Sequence, residues 1–287
     1  WPRHTGMIVM RVTAAVAAAA IFAVAAQAGP REQAKRMHDR VAGVPPSDAV
    51  LNAMEADIVA GQPQQAALRA MDDPAFYAVT LKNLVTPWTN RDQTVFAPLN
   101  DYTATVIGMV RDDVPFNELL SGDILYVGNA GLGLPAVSAS SNTHYEQMES
   151  RGIDLMTGLQ RTTQSSVYGI PAAATAGVMT SRAAAQSFFI AGTNRAMFRF
   201  TLLNQMCRSL DETQDTSRPP DRIRQDVSRS PGGDARLFLN NCVGCHSGMD
   251  PMAQAFAYYA YDDTQGRLVY TAGSVQPKYS TKADTFK

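Results

Sequence analysis

Cysteine is scarce in this chain, with three residues in 287, too few to build a disulfide scaffold. Neither sign of charge dominates: Lys plus Arg is 25, Asp plus Glu is 26, and the net charge is -1. Without a basic excess the composition argues against a nucleic-acid binder. Histidine is also sparse, at four residues, and there is no Ser-His-Asp order, phosphate loop, metal-type histidine cluster or internal repeat. What is there suits a globular chain of one or two domains: 45% hydrophobic and 18% charged residues, apolar enough for a core and too apolar for a disordered chain.

The specific signals lie at the two ends. Val12 to Ala26 is an Ala-rich, uncharged run of 15 residues with Arg11 before it and Ala26-Gln27-Ala28 closing it. A basic flank, a short apolar run and an A-x-A pattern read as a secretory signal peptide. The alternatives are a membrane anchor, although a spanning helix needs about 20 apolar residues, and a buried helix. Translation is expected to start at Met7 or Met10, with residues 1–28 set aside as upstream sequence and leader. The expected destination is the periplasm, with no membrane span after cleavage. That compartment is oxidising.

Near the other end stands Cys242-Val243-Gly244-Cys245-His246. C-x-x-C-H is the attachment signature of c-type haem. Two thiols three positions apart on a helical turn can reach the two vinyl groups on one edge of the porphyrin. The adjoining His246 is then placed to ligate the iron. Three other readings compete. A zinc site needs four ligands, and beyond the motif only Cys207, His38 and His144 remain once the leader is set aside. A dithiol redox pair wants a βαβ context. Chance occurrence is the third. The flanks favour one haem c: Asp234 to Asn241 reads as a helix with Phe238 four residues before the first cysteine, and Phe256 lies in an aromatic segment behind the motif. Asp250-Pro251 has the form of an N-cap and first helical residue, predicting a helix from Met252 to Ala260.

C-x-x-C-H-x-x-M-D-P followed by an F-A segment resembles the cytochrome-c-like domains of large exported proteins of planctomycetes and proteobacteria. Gly177 to Thr180, Asn194 to Phe198 and Leu202 to Cys207 follow the block that precedes the motif in those proteins. The resemblance covers roughly residues 175–262. It implies haem c held by Cys242, Cys245 and His246 and says little about substrate. The place of Phe238 resembles that of the haem-packing aromatic in class I cytochromes c, and Phe256 reads either as part of a wall against the haem or as a plain core residue.

The sixth iron position separates electron transfer from small-molecule chemistry. No Met or His follows Met252. Met249 and Met252 stand too close to His246 to reach the opposite face and read as packing residues. A distal ligand would come from upstream, from sequence beyond Lys287, or be missing. Met179 is the favoured upstream candidate, ahead of Met197, Met206 and His144, the last expected at the surface. Tyr279 to Lys287 lacks the character of a terminus, so the chain is expected to continue.

The expected organisation is residues 1–28, leader; 29–143, a helical region of unassigned role; 144–207, a helical block accompanying the haem region; 208–233, a linker; and 234–287, the haem-attachment region. The fold class is mostly α. Helices are expected from Ser47-Asp48, with Val50, Leu51, Met54 and Ile58 on one face; from Asp73-Pro74 to a stop at Pro87-Trp88; from a cap at Asp101 to Asp112-Asp113; and over Tyr145–Leu159, Thr180–Ile190 and Thr193–Met206. Trp88, Asn90, Arg91, Asp92, Asn100, Asp101 and Tyr102 mix polar and aromatic types as ligand loops do, or serve as turns and caps. Asp112-Asp113 reads as a solvated helix end or a cation site, and Cys207 as a buried thiol or the partner of a distant cysteine. Three functions follow: an exported electron carrier with a periplasmic redox partner; a haem oxidoreductase or peroxidase with an open iron site and substrate bound by the N-terminal region; or an assembly module in which haem is structural.

Overall fold

The computed structural model describes residues 28–275. The apolar run Val12–Ala26 and the tail Tyr279–Lys287, with the expectations placed on them, lie outside the described residues. The fold is mostly α, as expected, with two small two-stranded sheets among the described residues. No described helix is long and apolar enough to cross a membrane. The described residues form two compact units, 28–76 and 77–275.

The first unit holds α1 (Pro30–Val41), α2 (Asp48–Val59) and α3 (Pro63–Met71). Proline opens α1 and α3, where its missing N–H costs nothing. The Ser47 side chain accepts the amide of Val50 at 3.4 Å and caps α2. The core is Ala34, Leu51, Met54, Ala66 and Ala70, with Val50 and Ile58 at its margin. Alanine at three of these places lets the helices approach closely. Helix α3 is an addition to the sequence reading.

The chain enters the second unit through a π-helical turn, Phe76–Leu81, then α4 (Lys82–Val85) and a 3-10 turn, Thr86–Thr89. The α-helix ends at Val85, just before Pro87, as expected, and Pro87 sits in the first turn of the 3-10 segment that follows. The central helix is α5 (Asp101–Arg111), buried on all sides from Asp101 to Met109. Its cap is Asn100, whose side chain accepts the Thr103 amide at 3.1 Å, rather than the expected Asp101. The Asp101 carboxylate is fully buried and accepts the Tyr168 hydroxyl at 2.8 Å and the amides of Arg182 and Ala183 at 2.5 and 3.0 Å. A propensity rule saw a cap, whereas tertiary structure uses the same carboxylate to hold another element.

Strand β1 (Leu125–Gly128) pairs antiparallel with β2 (Leu159–Thr162), Leu125 opposite Thr162. Between them lie α6 (Thr143–Ser150) and α7 (Leu155–Gly158). The single helix expected over Tyr145–Leu159 is broken because Gly152 turns left-handed, at φ 59°. His144, expected at the surface, is buried in α6; its Nε2 accepts the Gly128 amide at 2.9 Å and its Nδ1 donates to the Pro135 carbonyl at 2.7 Å. Then follow α8 (Gln164–Tyr168), α9 (Arg182–Phe188) and α10 (Arg195–Met206). Cys207 caps α10 in left-handed geometry and is exposed, contrary to the buried thiol expected. Residues 208–233 run through short 3-10 turns, yet Ile223 and Arg224 are fully buried.

The chain ends, within the described residues, in α11 (Ala235–Asn241), α12 (Val243–Ala253) and a hairpin of β3 (Tyr259–Asp262) and β4 (Arg267–Tyr270). The expected helix from Met252 to Ala260 forms only in part: the chain is helical through Phe256 but does not start a helix at Asp250. Helix α12 runs through Asp250 and Pro251, and the tyrosine-rich segment becomes strand. Aromatic side chains fit a half-buried pleated surface: Tyr259 and Tyr270 pair across the hairpin with ring centroids 5.2 Å apart.

Candidate functional site

The Asp234 side chain accepts the Arg236 amide and opens α11. Phe238, one turn on, packs with Ile223 and Val243 beneath the Arg229 guanidinium, 5.0 Å from its ring centroid. Cys242 is the joint between α11 and α12, its amide closing on the Phe238 carbonyl at 3.0 Å and its own carbonyl accepting the His246 amide at 3.1 Å. Cys242, Cys245 and His246 therefore lie along one helical turn, at i, i+3 and i+4, which shares a face. Both thiols are half-buried and unpaired. Burial pushes the Cys245 thiol up, and the charges of Asp211 and Cys242 add to this.

His246 is held by a residue whose role the sequence reading missed. Its Nδ1 lies 3.2 Å from Oδ1 of Asp250, one turn later on α12, and the carboxylate is completely buried. Arg195 reaches both oxygens of Asp250, at 2.7 and 3.1 Å, and with its remaining donors grips Asp226 at 2.8 and 2.7 Å. The Arg224 amide donates to Asp250 at 2.9 Å. Burial alone would raise the Asp250 carboxyl; the bonds from His246, Arg195 and Arg224 outweigh it and hold it well below the usual carboxylate range. Burial likewise opposes the Arg195 charge, and Asp226 and Asp250 overcome it.

The position of Arg195 is set by its neighbour. Asn194 caps α10 in left-handed geometry, and its side-chain amide donates to the carbonyls of Phe256 and Tyr259, both at 2.8 Å. The Asn194-Arg195 pair thus ties α10 to the chain after α12 and to Asp250 within it. The i, i+4 spacing of His246 and Asp250 was the available signal. It was overridden by reading Asp-Pro as a helix start.

The other expected site residues divide. Phe238 is in the apolar cluster that includes Val243 of the motif. Phe256 meets Phe189 edge to face at 5.9 Å, in a group with Tyr259. Met179 lines a small cavity with Trp88, Tyr102, Phe188, Met197 and Phe200, none of which belongs to α12. Met249 is buried as expected, but Met252 is 58% exposed, two turns after Cys245 on the same face. Among the polar residues between Trp88 and Tyr102, Asn90 and Asn100 bond turns and caps, Arg91 and Asp92 are exposed, and Asp101 is the buried acceptor described above. Asp112 is bound by Arg111 and by the Tyr126 hydroxyl.

These residues fit a covalently bound haem. Two unpaired thiols one turn apart are accessible, and His246 has Nδ1 engaged by a carboxylate, which leaves Nε2 for a metal. A buried carboxylate on the far ring nitrogen is the usual support of a ligating imidazole. Among the described residues no group of three or more His, Cys, Asp or Glu side chains converges to hold a metal ion. No family model, curated protein or solved structure matches the chain.

Proposed function

We propose that this chain is an exported c-type haem protein that transfers electrons through one haem c, joined to Cys242 and Cys245 and ligated by His246. The observation that carries this reading is the motif together with its support: both thiols and the imidazole on one turn, and Nδ1 of His246 on the buried Asp250 at 3.2 Å. When bound, haem c supplies the Fe(II)/Fe(III) couple. Asp250 fixes the His246 tautomer and ring direction and raises its basicity as a ligand. Arg195 and Arg224 keep Asp250 ionised and in place. The leader pattern supports delivery to the periplasm, where a redox partner would meet the protein.

The second reading, a haem oxidoreductase with an open iron site, is favoured by the engagement elsewhere of the upstream methionine and histidine candidates for the sixth position. His144 has both ring nitrogens bonded to backbone, and Met179 and Met197 share a cavity wall with aromatic side chains.

The test is expression with a cytochrome c maturation system, followed by acid-acetone extraction. Haem should stay with the polypeptide, and the double change Cys242→Ala, Cys245→Ala should release it. Extraction of all haem from the unmodified chain would overturn both readings. Export is tested by mass spectrometry, with Gly29 expected as the mature N-terminus.

A further inference from the structure

Outside the haem-attachment motif, the second unit carries a cleft of about 410 Å³ whose walls are mostly hydroxyl and amide side chains. That volume is within the range of small-molecule sites, about 300–1,000 Å³. Arg182, at the start of α9, lines it and is 7% exposed. Its guanidinium is held by neutral groups: Nη1 donates to Oε1 of Gln186 at 2.9 Å and Nη2 to Oδ1 of Asn142 at 2.8 Å. Nε is buried without a hydrogen-bond partner. Among the described residues the Arg182 guanidinium forms no ion pair with a carboxylate within 4.0 Å.

Two carboxylates stand in this neighbourhood, and neither pairs with that charge. Asp101 spends its oxygens on the Tyr168 hydroxyl and the backbone amides of Arg182 and Ala183. It therefore anchors the backbone of Arg182. Glu146 lines the cleft and takes one bond, from the Asn142 amide at 3.2 Å. Burying an ion without its counter-ion is costly. An arginine held in this way by amide oxygens, on the wall of a polar cleft, is suited to receive an anion.

The charge and lining define the anion. One guanidinium balances one negative charge, and its planar fork matches a carboxylate. Glu146 in the same cleft disfavours a second negative charge, and its carboxylate oxygens accept hydrogen bonds from hydroxyl groups. The hydroxyls of Ser140, Ser141 and Thr143 on the same walls offer further donors and acceptors. We propose that this cleft binds a hydroxylated monocarboxylate of the sugar-acid class, its carboxylate on Arg182 and its hydroxyls on Glu146 and the serine-threonine wall.

The test is calorimetric titration of the full chain with gluconate, with glucose, acetate and inorganic phosphate as parallel probes. Gluconate should bind with a stoichiometry of one, and glucose and acetate should each bind at least roughly tenfold more weakly, since each lacks half of the recognised groups. Arg182→Met should abolish binding. Ser140→Trp, at an exposed position on the cleft wall, should also abolish it by filling the space while leaving Arg182 in place. Failure of gluconate to bind the unmodified chain overturns the proposal. So does phosphate binding as tightly as gluconate, or gluconate affinity that survives Ser140→Trp.

Discussion

His246 and Asp250 form a couple within one helical turn, Nδ1 to Oδ1 at 3.2 Å, in which the imidazole is partly accessible and the carboxylate wholly buried. The two residues are local in sequence, but the couple is held from outside α12. Arg195 comes from α10 and Arg224 from the segment before α11. The orientation of the imidazole is therefore a tertiary property.

Asp250→Asn tests that dependence. The change leaves the Arg195 charge without half of its counter-ions and should cost about 3 kcal/mol of stability, as breaking a buried pair does. In the haem-loaded protein it should also raise the reduction potential, because a neutral amide supports the imidazole less than a carboxylate does. Denaturant unfolding and a potentiometric titration measure the two effects. A stability loss with an unchanged potential would mean that Asp250 is structural only.

Met179→Leu should leave the ferric absorption spectrum of the haem-loaded chain unchanged, because Met179 lines a cavity with Trp88, Phe188 and Phe200 to which α12 contributes no lining residue. Rapid cyanide binding to the unmodified protein would favour the open-site oxidoreductase over the electron carrier. Loss of a Met–iron charge-transfer band in the variant would instead make Met179 the distal ligand.

Acid sensitivity should include a contribution from Asp112. Hydrogen bonds from Arg111 hold this carboxyl below its ordinary value of 3.8 against the opposing effect of burial, with the Tyr126 hydroxyl adding to them. A carboxyl lowered in the folded state stabilises above the unfolded value and loses that contribution as pH falls through the folded one. Stability of the unmodified chain should therefore fall more between pH 5 and about 2 than that of Asp112→Asn. Urea midpoints across this range would show parallel curves if the pairing contributes nothing.

Gly108→Ala should destabilise the protein by about 1–3 kcal/mol, as overpacking does. A methyl group at Gly108 on α5 would overlap the ring of Tyr126 on β1. That ring is fully buried, and its hydroxyl is bound to Asp112, so it has little room to yield. A variant as stable as the unmodified chain in thermal unfolding would show that the two elements can separate without cost.

The parts of the fold legible in the sequence are those governed by local chemistry. Ser47 caps α2 because it accepts an amide three residues on. Leu51 and Met54 face the first unit's core because a helix brings i and i+3 together. The spacing of Cys242, Cys245 and His246 likewise needs only one helical turn.

Where the same local rules met long-range partners, the partners prevailed. Asp101 and Asp250 both have the form of caps, and both are buried acceptors instead. The first serves the backbone of Arg182, some eighty positions away; the second serves Arg195, 55 positions away. His144 sits in polar sequence yet is buried, since two backbone groups satisfy its nitrogens. The tyrosines after α12 became a hairpin because packing against α9 rewards a pleated surface. By itself, then, the sequence determined the helical class, the cap of α2 and the placing of two thiols and an imidazole on one turn, all consequences of contacts within a few residues. Only the tertiary structure decided that Arg195 and Arg224 hold the Asp250 carboxylate and that Asn142 meets Arg182. A buried charge takes its partners from whatever elements the fold brings to it, and no local pattern records them.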